Sequence, residues 1–83
     1  MELNQIERIK KIIEEQLEIP YSSIVDDADL FKDLGADSFD IANIISEIEV
    51  GFGVSIPYAE AIHIITFKEL IEHTDKKLEK NDI

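Results

Sequence analysis

The stretch DLGADSFD, residues 33–40, holds one hydroxyl between two carboxylates, directly after a glycine and before an apolar run. The hydroxyl belongs to Ser38, and the carboxylates belong to Asp37 and Asp40. A serine in such a place can attack an acyl group as a nucleophile, or it can carry a covalently attached phosphate. The spacing of the residues around Ser38 bears on which chemistry applies.

The spacing argues against a catalytic serine. A nucleophile elbow needs glycine two residues before and after the serine, whereas this chain has Ala36 and Asp40 there. The acidic stretch from Asp27 lacks the glycine and the final glutamate of a calcium-binding EF-hand loop. The two histidines stand ten residues apart and match no ligand pattern for zinc. We therefore predict neither an enzyme active site nor a metal site.

A helix start explains part of the DSFD motif. Asp37 would be the N-cap that accepts an amide hydrogen bond, Asp40 would complete a capping box, and Phe39 would pack. This interpretation leaves a hydroxyl exposed at the first helical position without a role. Because a helix N-terminus presents amide donors and partial positive charge, it favours a phosphate attached to Ser38.

The elements that position Ser38 follow from the spacing of apolar residues. Residues 2–17 repeat them at steps of three and four, which predicts an amphipathic helix with Leu3, Ile6, Ile9, Ile13 and Leu17 on its apolar face. Pro20 ends this helix, and residues 19–37 look irregular. A second helix over residues 38–52 would bury Ile41, Ile44, Ile45, Ile48 and Phe52.

The last third of the chain predicts one short and one long helix. Residues 59–64 favour a helical turn after Ile56-Pro57, and the sequence TFKE from Thr66 predicts the cap of a final helix. The predicted fold class is all-α: a small four-helix bundle of three long helices and one short one, with a long loop between helices 1 and 2.

Composition indicates a small acidic protein. Nineteen acidic against eight basic residues give 83 residues a net charge of −11, which repels phosphate backbones and anionic lipids and attracts basic proteins. We expect protein partners, no nucleic acid and no membrane insertion. With no cysteine, no apolar leader and no long apolar run, we expect a monomeric, soluble, cytoplasmic protein. It should form one domain, residues 1–83, with a frayed tail at 79–83.

DLGADSFD resembles the attachment motif of acyl carrier proteins, commonly written D-L-G-A-D-S-L-D, with Phe39 in place of leucine. The similarity extends along nearly the whole chain. It includes an apolar-x-D-L pattern at Phe31, the E-x-x-F-G end of the second helix at Glu49, and the following Ile56-Pro57. The resemblance implies the carrier fold and a carrier function, without catalysis by the chain itself.

In that family a phosphopantetheinyl transferase moves 4'-phosphopantetheine from coenzyme A to the motif serine, and acyl groups ride as thioesters on its thiol. The resemblance therefore implies that Ser38 is the attachment residue, flanked by Asp37, Phe39 and Asp40. The partners would be acyl-transferring, synthase and modifying enzymes of fatty-acid, polyketide or a related specialised biosynthesis. A carrier of another cargo, such as an aminoacyl group, and an acidic interaction module without covalent chemistry are the alternatives.

Partners in that family typically dock through basic patches on the second helix. Residues 17–37 carry six acids and one base, and residues 38–58 carry three acids and no base, so the negative field centres near Ser38. The positions that the resemblance assigns to docking are Asp37, Asp40, Ala42, Asn43, Ser46, Glu49 and Tyr58. Asn43, Val50, Tyr58 and Ile62 stand where family members often carry acids. These departures indicate a specialised carrier with more apolar contacts, and the alternative is neutral drift on a solvated surface, where a single rim charge contributes little.

The resemblance implies that the helices shelter an acyl chain if the chain inserts between them. The residues predicted to line its pocket are Phe31, Ile45, Ile48, Ile56, Ile64 and Phe67. Each of them is equally well explained as ordinary core.

Overall fold

Four helices account for most of the chain, and a computed structural model describes residues 1–81. Helix α1 covers Leu3–Leu17, α2 covers Ser38–Phe52, α3 covers Tyr58–Ala61 and α4 covers Phe67–Asn81. A 3₁₀ turn, Tyr21–Ser23, interrupts the loop between α1 and α2, and no strand forms within residues 1–81. The predicted bundle of three long helices and one short one is confirmed. The predicted frayed tail is helical as far as Asn81, and its last two residues lie outside the described residues.

The core joins α1, α2 and α4 with the loop and the segments around α3. Its fully buried members include Ile9 and Ile13 of α1, Ile44 and Ile48 of α2, and Phe67 of α4. Three predictions of burial need correction. Leu3 is 74% exposed because it begins α1, one turn before Ile6 reaches the core. Ile41 and Phe52, predicted to be buried, are only partly covered.

Side chains of α1 hold both ends of α2. Near the start of α2, Gln16 Nε2 donates a hydrogen bond to Asp40 Oδ1 at 3.1 Å. Near its end, Arg8 donates to the carbonyl of Gly51 at 2.9 Å, and its guanidinium lies 4.3 Å from the centre of the Phe52 ring. The orientation of α2, and with it the position of Ser38, is therefore set from two places on α1.

Backbone hydrogen bonds tie the long loop to the start of α4. The amide of Leu30 donates to the carbonyl of Ile65 at 2.9 Å, and the amide of Phe67 donates to the carbonyl of Ala28 at 3.0 Å. Within the loop, Asp29 Oδ1 accepts hydrogen bonds from the amides of residues 31 and 32, both at 2.8 Å. The loop is irregular, as predicted. Hydrogen bonds within the loop and to the start of α4 nevertheless fix its shape.

The two C-terminal helices begin close to where the sequence predicts. Helix α3 starts at Tyr58, directly after Pro57, and backbone bonds of the 3₁₀ type continue its turn to Ile64. The TFKE cap of α4 is confirmed: the amide of Glu69 donates to Thr66 Oγ1 at 3.2 Å, and the Glu69 carboxylate accepts from the amide of Thr66 at 2.9 Å.

Candidate attachment site

Ser38 is the first residue of α2, and a capping box surrounds it. The amide of Asp40 donates to Asp37 Oδ1 at 2.8 Å, and the amide of Asp37 donates to Asp40 Oδ2 at 3.1 Å. The capping interpretation of the motif is thus confirmed for both carboxylates. Ser38 itself is exposed, so the cap fixes the backbone on either side of the hydroxyl without covering it.

Asp40 is held more firmly than its neighbours. One carboxylate oxygen accepts from Gln16 of α1 and the other from the amide of Asp37. Both hydrogen bonds lower the pKa of Asp40 below its usual 3.8. The bond from Gln16 has the largest effect, and the bond from the Asp37 amide has the next largest. A carboxylate with both oxygens engaged stays ionised and fixes the helix start to α1.

Phe39 contradicts the expectation that it packs. Its side chain is 72% exposed. As the second residue of α2 it stands beside Ser38 on the surface, and it is not on the face of α2 that lines the cavity with Ser38, Ile41 and Ala42. An aromatic ring therefore flanks the hydroxyl on the outside of the protein.

An apolar cavity of about 360 Å³ opens beside Ser38. Three of the residues predicted to line a pocket do so: Phe31, Ile45 and Ile56. The other three, Ile48, Ile64 and Phe67, belong to the buried core and do not line the cavity. The remaining lining residues, besides Ser38, are Ile41, Ala42, Tyr58, Ala61, Ile62 and Ile65.

Part of the lining could have been found in the sequence. Ser38, Ile41, Ala42 and Ile45 follow one another at positions i, i+3, i+4 and i+7, which places them on one face of α2. The face that bears the hydroxyl is therefore the face that lines the cavity. Ile62 and Ile65 carry no such signal, because they belong to the turns around the short helix.

The residues predicted to take part in docking differ in their exposure and in their hydrogen bonds. Ala42, Ser46 and Tyr58 are exposed, as is Asp37, while Asn43 and Asp40 are partly covered. Glu49 is partly covered as well, and its Oε2 accepts a hydrogen bond from the amide of Ile56 at 2.8 Å. This carboxylate therefore holds the segment that leads to α3.

Comparisons with known proteins agree with this geometry. Residues 7–74 match a family model described as the phosphopantetheine attachment site. The acyl carrier protein of Thermotoga maritima is 35% identical over 71 residues, which cover 86% of this chain and 88% of that protein. The chain belongs to the acyl carrier protein family. Acyl carrier proteins of this family use 4'-phosphopantetheine as their cofactor, and this is the cofactor of the chain.

The residues present suit an acyl carrier protein. An exposed hydroxyl stands at a capped helix start, and an apolar cavity opens at the same place. Both features fit an arm that begins with a phosphate and ends with an acyl cargo.

Within residues 1–81, none of the helices is both long and apolar enough to cross a membrane.

Proposed function

We propose that Ser38 accepts the 4'-phosphopantetheine arm and that the chain presents acyl groups on that arm to partner enzymes. The observation that supports this proposal best is the exposed hydroxyl at the edge of an apolar cavity. The amide donors of the first turn of α2 favour the phosphate that the arm would bring. The chain has no cysteine and therefore no thiol of its own. Once attached, the arm supplies the thiol that carries acyl groups.

We propose that the chain carries its cargo without catalysing a reaction. Within residues 1–81, no side chain accepts a hydrogen bond from the Ser38 hydroxyl, and His73 is engaged with Glu60 instead. A serine without a neighbouring base is a weak nucleophile. Activation of the hydroxyl is therefore assigned to the transferase, and the exposure of Ser38 makes it accessible to that enzyme.

The proposed cargo is a hydrocarbon acyl chain that enters the cavity beside Ser38. A volume of about 360 Å³ lies within the usual range for small-molecule sites, about 300–1,000 Å³. Each buried methylene group would contribute about 0.8 kcal/mol. An aminoacyl group suits the cavity less well, because its ammonium would lose water among side chains that offer almost no acceptors.

The proposed partners are a phosphopantetheinyl transferase and acyl-transferring, synthase and modifying enzymes that present both basic and apolar groups. Asp37 is exposed and can meet a basic patch, although its Oδ1 already accepts from the amide of Asp40. Asp40 and Glu49 are partly covered and also bond within the chain. Phe39, Val50 and Tyr58 are 72%, 84% and 82% exposed. This mixture supports a dedicated pathway of fatty-acid, polyketide or related biosynthesis, and a cytoplasmic location stays a prediction.

The test is the intact mass of the purified protein after incubation with coenzyme A and a promiscuous phosphopantetheinyl transferase. Ser38→Ala is the test variant, and Ser46→Ala is the matched control because Ser46 is another exposed serine of α2. We expect wild type and Ser46→Ala to gain one phosphopantetheine unit and Ser38→Ala to gain none.

Two outcomes would contradict the proposal. A folded wild type that gains no mass with several transferases would favour an acidic module that binds partners without covalent chemistry. A Ser38→Ala variant that still gains the unit would move the attachment to another residue.

A further inference from the structure

Helix α3 forms part of the cavity wall but is too short to hold itself in place. Tyr58, Ala61 and Ile62 all line the cavity. The helix itself has only four residues, and isolated helices of that length do not form in water. The position of this part of the wall must therefore depend on contacts between α3 and the rest of the protein.

Glu60 provides such a contact, and it joins α3 to α4. Its Oε1 lies 2.9 Å from His73 Nε2 and 2.8 Å from Lys77 Nζ, and its Oε2 lies 3.0 Å from the same ammonium. His73 and Lys77 stand four residues apart, which places them on the same face of α4. One carboxylate thus binds two side chains of the long helix.

The three side chains are partly shielded from water. Their exposed fractions are 35% for Glu60, 28% for His73 and 20% for Lys77. The ion pair between Glu60 and Lys77 is partly shielded and is joined by the hydrogen bond between Glu60 and His73, so it keeps more of its attraction than an isolated surface pair. Glu60 also stands between lining residues of α3, so any displacement of its backbone moves the wall.

We propose that Glu60 is a positioning residue that anchors α3 to α4 and thereby sets how firmly the cavity encloses a cargo chain. The inference rests on the proposed function in assuming that the cargo enters this cavity. The neighbouring residues Tyr58, Ala61 and Ile62 contact the cargo, and Glu60 acts through them. Loss of the anchor leaves α2 and Ser38 unchanged and loosens the α3 wall alone.

The first measurement is hydrogen exchange of the unmodified protein, which does not need the arm. Glu60→Gln keeps the size of the side chain and removes its charge, and Glu72→Gln makes the same change at an exposed position of α4. We expect the amides of Ala61 and Ile62, which bond to residues 57 and 58, to exchange about two- to five-fold faster in Glu60→Gln only. Lys77→Met should give a smaller increase at the same amides.

The second measurement uses protein loaded with hexanoyl or acetyl groups and follows their release by hydroxylamine. We expect the hexanoyl group to be released more slowly than the acetyl group from wild type and Glu72→Gln, and this difference to shrink in Glu60→Gln. A general loss of stability would accelerate both releases alike.

Unchanged exchange at α3, or an unchanged hexanoyl-to-acetyl ratio, would overturn the inference. If Ser38 accepts no arm, the proposed function fails, and the exchange experiment still decides whether Glu60 anchors α3.

Discussion

The carboxylates of Asp37 and Asp40 beside Ser38 are engaged with the backbone and with α1, and within residues 1–81 neither accepts a hydrogen bond from the hydroxyl. Asp37 and Asp40 exchange amide hydrogen bonds, and Asp40 also accepts from Gln16. The acidic character of the motif therefore serves the helix start first. A partner that approaches Ser38 meets Asp37, the exposed ring of Phe39 and the hydroxyl itself.

The hydrogen bond from Gln16 to Asp40 gives a prediction for pH. It is the largest cause of the lowered pKa of Asp40, so Gln16→Ala should raise that pKa towards 3.8. A lowered pKa stabilises the folded state only while the carboxylate is ionised. Wild type should therefore have a larger free energy of unfolding than Gln16→Ala above about pH 4. This difference should vanish as the pH falls through the lowered pKa of Asp40.

The measurement is an NMR titration of the Asp40 carboxyl carbon, together with urea unfolding at several pH values. Asn4→Ala, which removes an exposed amide from the same helix, is the control and should leave the pKa of Asp40 unchanged. An Asp40 titration that is identical in wild type and Gln16→Ala would contradict this role of Gln16.

The contacts of Arg8 with Gly51 and Phe52 link the centre of α1 to the end of α2. Arg8→Met keeps much of the apolar stem and removes both the hydrogen bond to Gly51 and the cation above Phe52. We expect a loss of about 1–2 kcal/mol in the free energy of unfolding. Lysine should not substitute fully, because a single ammonium cannot reproduce the planar guanidinium contact.

Urea unfolding of Arg8→Met, Arg8→Lys and Lys11→Met tests this prediction. Lys11 is 64% exposed and pairs with Glu14 of the same helix, so Lys11→Met should cost at most a few tenths of a kcal/mol. Equal losses of unfolding free energy in Arg8→Met and Lys11→Met would contradict the prediction. They would show that the contacts of Arg8 with α2 add nothing to the effect of removing one positive charge.

The helices and caps could be predicted from the sequence, because both depend on residues three or four positions apart. The apolar repeats located α1 and α2, and the DSFD and TFKE motifs located the starts of α2 and α4. The contacts of Arg8 and Gln16 span 43 and 24 residues and depend on how two helices cross, which no local pattern encodes.

The errors have a related cause. Periodicity gives the face of a helix, but it does not tell how far the neighbouring elements extend over that face. Leu3 at the beginning of α1 and Phe39 at the beginning of α2 are not covered by neighbouring elements, and both side chains are mostly exposed. Ile48, Ile64 and Phe67 belong to the core and not to the cavity lining, and the sequence leaves both open because apolar lining and apolar core look the same in it.

At the scale of the whole molecule, the net charge of −11 opposes compaction. The described residues have a radius of gyration of 11.8 Å, close to the roughly 12 Å expected for a compact chain of this length. Many carboxylates therefore lie within one or two screening lengths of each other at low salt. Their repulsion favours the unfolded chain, in which they are further apart.

We predict that the thermal midpoint rises when sodium chloride is increased from about 0.01 M to about 1 M, because the screening length falls from about 30 Å to about 3 Å. Thermal unfolding followed by circular dichroism measures this effect. Choline chloride is the control and should raise the midpoint similarly, since screening does not depend on the identity of the monovalent cation. A midpoint that stays constant or falls would show that self-repulsion is not a significant cost of folding.

The hydrogen bonds between the long loop and the start of α4 also have a consequence for biosynthesis. Chains are made from the N-terminus at about 5–20 residues per second. Helix α1 and the serine-bearing helix α2 are therefore complete before residues 65–67, which close the loop, exist. The loop that precedes Ser38 reaches its final shape only when translation has passed α3, so a nascent chain would offer the transferase a helix start that is not yet supported.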